Sequence, residues 1–421
     1  MKIAVIGAGV IGVTTAYELT RDGHEVTVFD RRATAAEETS FANAGIVAPG
    51  YVAPWAAPGM PGKVLGHLLG RHAPVRLSWP LGARELAWMW RWYRACKLDT
   101  YLANRTRMHH LANYSLARLQ QITQDLKLEF DRQPGYMVLL RSEADYRLAQ
   151  PGLLTLRDLG VPFTELDATG ARQLEPALNP DTALAGAIHL PHAQVANCRQ
   201  FVLMLKNETA RLGAQLRFNT SVDRIHHAPS VALSLAGEPR PHQFDQVVVC
   251  AGVQCASLLQ AIGLELALIP VYGYALSATL RDPLQAPHSA VMDERYKVSI
   301  SRLGQRIRVA GSAELGGTPE RMRPGSIQTL HKVLQDWFPG AGQLSNGVQV
   351  WKGARPMLPD GPPVIGASGQ GGVWLNLGHG SSGWALACGS ARVLADLIAG
   401  RSPEVDMVGF GLNRERPGHL V

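Results

Sequence analysis

The order of apolar and polar residues along the chain predicts alternating strands and helices. Residues 2–6 form a short β-branched run, residues 13–20 have helical potential, and residues 25–29 form a second apolar run. A glycine-rich turn separates the first strand from the helix. This order predicts a β-turn-α-β unit at the start of the chain.

Periodicity and the glycines that follow helix ends predict the later elements. Helices are expected over residues 81–128, 198–212 and 383–398, and strands over residues 135–141, 186–190, 215–225, 244–250 and 372–377. Residues 296–300 and 306–310 resemble an antiparallel pair. Residues 49–80 are rich in Gly, Pro and Trp, which predicts an ordered, irregular loop against a cofactor or substrate.

Length and composition predict a folded protein of two or three domains. The chain has 421 residues, of which 46% are hydrophobic and 18% charged. The two styles of predicted sheet indicate an α/β protein. We expect a Rossmann-type domain together with a second, mainly antiparallel α+β domain.

Cysteine usage and charge exclude several classes of site. The five cysteines are scattered and never spaced C-x-x-C, so neither a disulfide framework nor a metal site is predicted. The formal charge is +7 without a dense basic block, which disfavours nucleic acid as a partner. The sequence has no uncharged apolar run of about 18 residues, so no membrane-spanning helix is expected.

Gly7, Gly9 and Gly12 have the spacing G-x-G-x-x-G directly after the first predicted strand. Small residues there let the backbone approach a pyrophosphate at the positive end of a helix. Asp30 ends the second strand, where a carboxylate accepts hydrogen bonds from a ribose diol. This pattern predicts a dinucleotide site but does not distinguish FAD from NAD.

A second glycine-rich turn, residues 377–384, joins a predicted strand to the last predicted helix. Its amides could converge on a negative group such as the pyrimidine edge of a reduced flavin. The alternative is a capped helix that follows a tight turn and binds no ligand.

Five segments resemble the small-subunit type of D-amino acid dehydrogenase, in the flavoprotein group of glycine oxidase, sarcosine oxidase and D-amino acid oxidase. They are ETSFANAG (38–45), PGYVAPWAAPG (49–59), WKGARPMLPDG (351–361), GHGSSGW (378–384) and RPGHL (416–420). The resemblance covers nearly the whole chain and implies FAD as the cofactor. We expect a discontinuous FAD-binding domain over residues 1–56, 193–268 and 350–421, and a substrate domain over residues 57–192 and 269–349.

The fingerprint and the resemblance together imply a set of FAD contacts in the glycine-rich turns, the loop after Asp30 and the strand ends. They are Ile3, Gly7, Ala8, Gly9, Val10, Ile11, Gly12, Asp30, Arg31, Ser40, Asn43, Ala44, Gly45, Val222, Ala251, Gly252, Gly378, His379, Gly380, Ser381, Ser382 and Gly383. Asn43 has an alternative role as a turn former, and Gly252 as the end of a strand.

Arg355 is the leading candidate for substrate binding, because a guanidinium is a planar fork that matches a carboxylate bidentately. The resemblance places it over the flavin. Tyr296 resembles a tyrosine that assists carboxylate binding in the oxidase relatives, and its alternative role is that of a core residue. Tyr51 and His379 are further candidates, although a lone histidine after glycine is more often structural.

Three segments depart from the family pattern. Tyr272 stands where a basic residue is usual, residues 192–197 read HAQVAN where acidic residues are common, and Ser381–Ser382 replace Thr-Leu. We expect the preferred side chain of the substrate to differ from that of other members, and FAD binding to persist.

The resemblance implies oxidative deamination of a D-amino acid to a 2-oxo acid and ammonia, with hydride transfer to flavin N5 and a quinone or other non-oxygen electron acceptor. Alternatives on the same fold are an oxygen-using amino acid oxidase and a dehydrogenase of secondary amines such as proline, hydroxyproline or sarcosine. An alternative of another class is a non-catalytic FAD-binding subunit.

The expected location is the cytoplasm, and the run WMWRWYR at residues 88–94 leaves peripheral contact with the cytoplasmic face of the inner membrane open. Ordinary helix packing is the favoured interpretation of this run, because its Trp and Arg residues form no single clean face.

Overall fold

The computed structural model describes residues 1–67, 70, 72–79, 81–227 and 230–414. The strands are β1 (Lys2–Ile6), β2 (Glu25–Phe29), β3 (Ile46–Val47), β4 (Val75–Leu77), β5 (Arg132–Leu140), β6 (Thr164–Asp167), β7 (Gly186–Ala196), β8 (Gln215–Arg217), β9 (Val222–His226), β10 (Val231–Leu235), β11 (His242–Phe244), β12 (Gln246–Val249), β13 (Ile269–Thr279), β14 (Ala290–Asp293), β15 (Val298–Leu303), β16 (Arg306–Leu315), β17 (Gln349–Met357), β18 (Val364–Ala367) and β19 (Val373–Leu377).

The helices are α1 (Val10–Arg21), α2 (Met60–His67), α3 (Ala83–Ala95), α4 (Leu98–Asp125), α5 (Glu143–Asp158), α6 (Ala168–Leu174), α7 (Cys198–Arg211), α8 (Cys255–Gln260), α9 (Pro324–Trp337) and α10 (Gly383–Ile398). Short 3-10 turns cover Pro49–Tyr51, Gly252–Gln254, Pro283–Gln285 and Gly380–Ser382.

A six-stranded sheet with the order β18-β19-β12-β1-β2-β8 forms the nucleotide-binding half. Its pairs are parallel except for β18 with β19. Buried β-branched residues make up most of its central strands, as expected for a parallel sheet that is covered on both faces. Helix α1 packs against α10 and α7 on one of these faces. The carboxyl ends of β1, β2, β12 and β19 therefore meet at one edge.

A ten-stranded sheet forms the second half, with the path β17-β13-β16-β15-β14-β5-β7-β3 and with β4 and β6 paired to β16 and β7. Most of its pairs are antiparallel, and the parallel ones are β5 with β14 and β4 with β16. One face packs against α9 through a fully buried cluster that includes Tyr274, Ile300 and Trp337. The other face carries Arg355 and Gly273, because side chains alternate along each strand.

Most predicted elements are present, with two corrections. Residues 49–80 are not wholly irregular, since they contain α2 and β4. Pro61 is compatible with α2 because it lies in the first turn, where its missing N–H removes no helical hydrogen bond. The strand predicted over 215–225 is two strands, separated where Asn219 adopts a φ of 52°.

Two further expectations concern boundaries. The segment at residues 416–420 that resembles the family lies outside the described residues. Strand β17 is hydrogen-bonded into the ten-stranded sheet, although the expected FAD-binding domain includes residues from 350 onward. The division into domains stays a prediction.

Candidate active site

A cleft of about 410 Å³ opens at the carboxyl ends of the parallel strands. Along its lining, Ile6 ends β1 and Gly7 follows it, Phe29 ends β2 and Asp30 follows it, and Leu377 ends β19. This is the edge at which open α/β sheets bind their ligands. The fold therefore brings the first glycine-rich turn, Asp30 and the second glycine-rich turn to one place.

The first glycine-rich turn is close-packed at the backbone. Gly7 has a φ of 104°, and a Cβ there would lie 2.7 Å from the carbonyl oxygen of Cys250. A Cβ on Gly12 would lie 1.7 Å from the carbonyl oxygen of Gly7. The turn can therefore enter α1 at this angle only with glycine at both positions.

Asp30 lies between the turn and the loop that follows β2. Its Oδ2 accepts the N–H of Ala8 at 2.6 Å, and its Oδ1 accepts the N–H of Arg32 at 2.8 Å. Burial raises the pKa of the carboxyl group, and this effect exceeds that of the two hydrogen bonds, which lower it. The adjacent Arg31 donates Nε–H to Glu38 Oε1 at 2.9 Å. The carboxylate is thus fixed at the rim of the cleft.

The loop of residues 38–45 is anchored to the start of α1 and to the ten-stranded sheet. Its hydrogen bonds are Val10 N–H to Ser40 Oγ (3.0 Å), Thr39 Oγ1–H to Ala354 O (2.6 Å), Gly45 N–H to Asn43 Oδ1 (2.8 Å), Ser301 Oγ–H to Ala44 O (2.6 Å) and Arg308 Nη1–H to Asn43 O (3.1 Å). Burial lowers the pKa of the Arg308 guanidinium to about 10. The loop therefore lies between the cleft and the face of the large sheet that carries Arg355.

The second glycine-rich turn precedes α10. Gly378 has a φ of 79° and Gly380 a φ of 56°, and a Cβ on Gly378 would lie 2.4 Å from Leu358 Cδ1. The left-handed conformation and the close approach of Leu358 favour glycine at these positions. The turn ends at the start of α10, and Gly383, the first residue of that helix, lines the cleft.

The imidazole of His379 is directed into α10. Nε2 lies 2.9 Å from Ser390 Oγ, and that hydroxyl donates its own proton to the carbonyl of Leu386 at 2.8 Å. The serine oxygen therefore accepts from Nε2–H, which assigns the proton to Nε2. Burial lowers the pKa of His379 to about 3, so the ring is neutral at pH 7.

Arg355 lies on the face of the large sheet that meets the loop of residues 38–45. Its guanidinium packs flat over Gly273, where a Cβ would lie 2.4 Å from Nη2. Nη1 donates to the carbonyl of Ser312 at 2.9 Å. Burial lowers the pKa of the guanidinium to about 10, which leaves it cationic at neutral pH. Within the described ranges, no carboxylate lies within 4 Å of it.

A β-bulge aims the Ser312 carbonyl at this guanidinium. Tyr272 pairs with Glu314 and Tyr274 with Gly311, so two residues of β16 oppose the single residue Gly273. Ser312 has a φ of 58°, which is uncommon for a residue with a side chain. The distortion turns a backbone acceptor toward Arg355 and leaves the rest of the fork uncommitted.

On the opposite face, a charged network supports the same bulge. Glu314 is 3% exposed, and its Oε2 accepts from Lys352 Nζ at 2.9 Å and from the Tyr274 hydroxyl at 2.5 Å. Arg323 Nε donates to Oε1 at 3.0 Å. Burial by itself would raise the pKa of Glu314, but hydrogen bonds from Ser78, Tyr274 and Lys352 outweigh it and lower the pKa.

The tyrosine candidates separate onto the two faces. Tyr51 makes an edge contact with Tyr136, with ring centroids 5.6 Å apart, and strand alternation places Tyr136 on the Arg355 face. Burial raises the pKa of both hydroxyls. Tyr296 lies in the turn before β15, where Arg141 is 5.0 Å from its ring and α9 packs against it. The structure therefore does not bring Tyr296 to Arg355.

A family model for FAD dependent oxidoreductases matches residues 2–397 of the chain. The chain belongs to this family. FAD is accordingly its cofactor, and the close-packed glycines, the rim carboxylate and the two helix starts at the cleft fit such a dinucleotide.

Relatives and solved structures agree with this assignment. The chain is 42% identical to the D-amino acid dehydrogenase of Cereibacter sphaeroides over 98% of this chain and 95% of that protein. It is 40% identical to the D-amino acid dehydrogenase of Bradyrhizobium diazoefficiens over 98% and 99%. The sequence resemblance to this group is confirmed.

The fold is similar to that of glycine oxidase from Geobacillus kaustophilus, with a TM-score of 0.78, 22% identity and 98% coverage of both chains. It is also similar to that of L-proline dehydrogenase from P. horikoshii, with a TM-score of 0.76, 16% identity and coverage of 98% and 97%. The predicted fold class is confirmed.

Most of the predicted FAD contacts line the cleft. They are Gly7, Gly9, Val10, Ile11, Asp30, Arg31, Ser40, Val222, Ala251, Gly252, Gly378, His379, Gly380 and Gly383. Ala8 and Gly12 lie behind this lining, in the turn and in the first residues of α1. Asn43, Ala44 and Gly45 lie further along the anchored loop, and Ser381 and Ser382 lie in the 3-10 turn before α10. Ile3 lies inside β1 with no exposed surface, so its side chain does not reach the cleft.

Sequence reasoning missed polar residues that line the cleft beside β9 and β12: Thr220, Ser221, Asp223, Gln254 and Ser257. Their signal is their position directly beside the predicted Val222, Ala251 and Gly252. It also missed Ser312, for which the sequence carries no signal, because the bulge depends on pairing between distant strands.

The described residues also bear on metals and membranes. In the parts of the chain that the structure describes, no group of three or more His, Cys, Asp or Glu residues could hold a metal ion. None of the described helices has the length and apolar character needed to cross a membrane.

Proposed function

We propose that the protein oxidises D-amino acids at the α carbon, giving an imino acid that water hydrolyses to a 2-oxo acid and ammonia. The observation that carries the proposal is the Arg355 guanidinium, a partly buried cation with one backbone partner and an uncommitted fork. An α-carboxylate matches that fork bidentately. The names of the two bacterial relatives support the D configuration.

In this proposal each region of the site has a separate task. FAD, when bound in the cleft, supplies the hydride acceptor. Asp30 would accept from the ribose diol, the turn at Gly7–Gly12 would hold the pyrophosphate, and the turn before α10 would hold the flavin edge. The anchored loop with Asn43, Ala44 and Gly45 would hold the ring system.

Arg355 holds the substrate carboxylate and thereby orients the α C–H, so that positioning and electrostatics supply most of the acceleration. The Tyr51 and Tyr136 hydroxyls are protonated at neutral pH, and burial raises their pKa further. They can act as hydrogen-bond donors on the same face. The substrate amine must be neutral when the hydride leaves. His379 stabilises the turn before α10 and does not accept the proton of the amine.

The proposed electron acceptor is a quinone, reached by peripheral contact with a membrane. Leu86, Trp90 and Tyr93 lie on one side of α3 and are 52%, 60% and 57% exposed. Apolar rings beside basic residues are typical of helices that lie in the lipid interface. Co-sedimentation with anionic vesicles should fall in Trp90→Ser, while flavin reduction in solution stays unchanged.

Anaerobic mixing of the holoenzyme with D- and L-amino acids and N-substituted glycines tests the substrate. Loss of visible flavin absorbance with D-amino acids is the expected result. Bleaching only by L-amino acids or secondary amines would contradict the assignment of D-amino acids as substrates. It would still be consistent with hydride transfer to the flavin. If no amine bleaches the flavin, the result would favour the alternative of an FAD-binding subunit that lacks this activity. Peroxide release in air would identify oxygen rather than a quinone as the acceptor.

A further inference from the structure

Trp55 lies in an irregular segment, residues 52–59, between the Pro49–Tyr51 turn and α2. This segment is docked against the chain after β17. A Cβ on Gly361 would lie 2.7 Å from Pro54 Cβ, so the contact is tight at the residue just before the tryptophan. Trp55 itself is half-buried and packs against a cluster that includes Met357 and Trp88. Its position is therefore fixed by packing on two sides.

The indole contacts the carboxylate-binding and cofactor regions at once. Its Nε1–H donates to Ser381 Oγ at 3.0 Å, in the turn before α10. The Arg355 Cζ lies 5.9 Å from the centre of its ring. Ser381 follows a strand of the six-stranded sheet and Arg355 lies in the ten-stranded sheet. Trp55 is a side chain that touches both.

We propose that Trp55 is a positioning residue for Arg355. Attraction between the guanidinium and the face of the indole holds the fork in one plane, and packing of the ring keeps water from that side of the cation. The hydrogen bond to Ser381 fixes the indole in turn. The inference rests on the proposed function, in which Arg355 holds the carboxylate of an amino acid.

The geometry predicts which property Trp55 controls. The Arg355 fork already has Ser312 as one partner, so the indole determines how the remaining N–H groups present themselves to a carboxylate. Loss of the ring should weaken the binding of any small carboxylate. FAD retention should not change, because the cleft is lined by other residues and Trp55 is not among them.

Four variants of the holoenzyme separate these contacts: Trp55→Phe, Trp55→Ala, Ser381→Ala and the double variant Trp55→Phe/Ser381→Ala. The readouts are KM and kcat for D-alanine, the Kd of propionate measured by perturbation of the flavin spectrum, and FAD content. Propionate is D-alanine without its amine, so it reports carboxylate binding without turnover. Trp79→Ala is the matched control, since Trp79 is 76% exposed.

Trp55→Phe and Ser381→Ala should each raise KM and the propionate Kd by about fivefold, the usual effect of one hydrogen bond. The double variant should be no worse than either single one. Trp55→Ala should raise both constants by at least about tenfold, because it also removes the cation–π contact. KM should change more than kcat, and the FAD content of the Trp55→Phe and Trp55→Ala variants should equal that of the wild type.

Additive effects of Trp55→Phe and Ser381→Ala, or wild-type binding constants in both, would overturn the inference even if Trp55→Ala fails to fold. Failure of the proposed function is distinguishable. A wild type that is reduced by no amino acid and binds no propionate contradicts the role of Arg355, whereas a wild type that does both while the variants match it contradicts only Trp55.

Discussion

The cofactor cleft and the Arg355 face are built by different means. The cleft is formed by backbone: glycines at close approaches, amides at helix starts and one carboxylate that accepts two N–H groups. The Arg355 face is formed by side chains on strands distant in sequence, supported by a bulge and a charged network. A backbone site tolerates change between its glycines, whereas a side-chain site depends on each member.

The strongest test of this contrast is Gly12→Ala. The added Cβ would lie 1.7 Å from the carbonyl oxygen of Gly7, and a methyl group attached to the main chain cannot rotate away. We expect purified protein without FAD, measured by visible absorbance, together with a lowered melting temperature. Gly152→Ala is the matched control, because Gly152 is also helical and a Cβ there would have no atom within 4 Å. It should keep FAD and gain up to about 1 kcal/mol of stability.

Arg355→Met tests the other region. Removing one partner of a buried charge pair costs about 2–5 kcal/mol, so kcat/KM for D-amino acids should fall by roughly 30- to 5,000-fold. Arg355→Lys should recover only part of this loss, because a point charge does not reproduce the fork. FAD content should match that of the wild type and of the exposed control Arg240→Met. Loss of FAD in Arg355→Met would show that the two regions are not separate.

The same contrast explains how much the sequence could predict. Gly7, Gly9, Gly12 and Asp30 lie within one β-turn-α-β unit, and their spacing alone predicts the dinucleotide site. Arg355 is predicted through a resemblance rather than through geometry. Its partner Ser312 becomes visible only when β13, β16 and β17 are paired, and its neighbour Trp55 only when the segment of residues 52–59 is docked beside them.

Tyr296 shows where local reasoning ends. An aromatic residue at the start of a predicted strand is compatible with either face of a sheet, and the register decides between them. Here the hairpin places the tyrosine beside Arg141 on the α9 face. The irregular appearance of residues 49–80 has a similar cause, because proline in a first helical turn does not exclude a helix.

Glu314→Gln tests the support beneath Arg355. It would leave Lys352, a side chain that is 1% exposed, without its carboxylate partner. Breaking a buried pair in this way costs about 3–5 kcal/mol, which chemical denaturation at pH 7 would measure. KM should rise with it because the bulge carries Ser312. Glu265→Gln, at an exposed loop position, is the control and should change neither quantity.

The lowered pKa of Glu314 also predicts the direction in which stability changes with pH. The folded-state pKa of Glu314 is lowered, so its stabilising contribution is complete above the unfolded pKa and is lost as the pH falls through the folded pKa. Wild-type stability should therefore decrease more steeply than that of Glu314→Gln on the acid side of about pH 4.3, the ordinary pKa of glutamate. Equal slopes in the two proteins would contradict the charged network.

Thr39→Val should have the smallest effect. It tests the contact between the cofactor cleft and the Arg355 face. Thr39 belongs to the loop along the cleft, and its hydroxyl donates to the carbonyl of Ala354 on β17, the residue before Arg355. Loss of one neutral hydrogen bond lowers the free energy of unfolding by about 1 kcal/mol. Thr39→Ser keeps the hydroxyl and should behave as the wild type. If the regions are separate, Thr39→Val changes KM and the FAD Kd by less than about threefold. A change of that size corresponds to only part of the free energy of the lost hydrogen bond. A change of about thirtyfold in KM would show instead that the backbone of the cleft loop sets the position of Arg355.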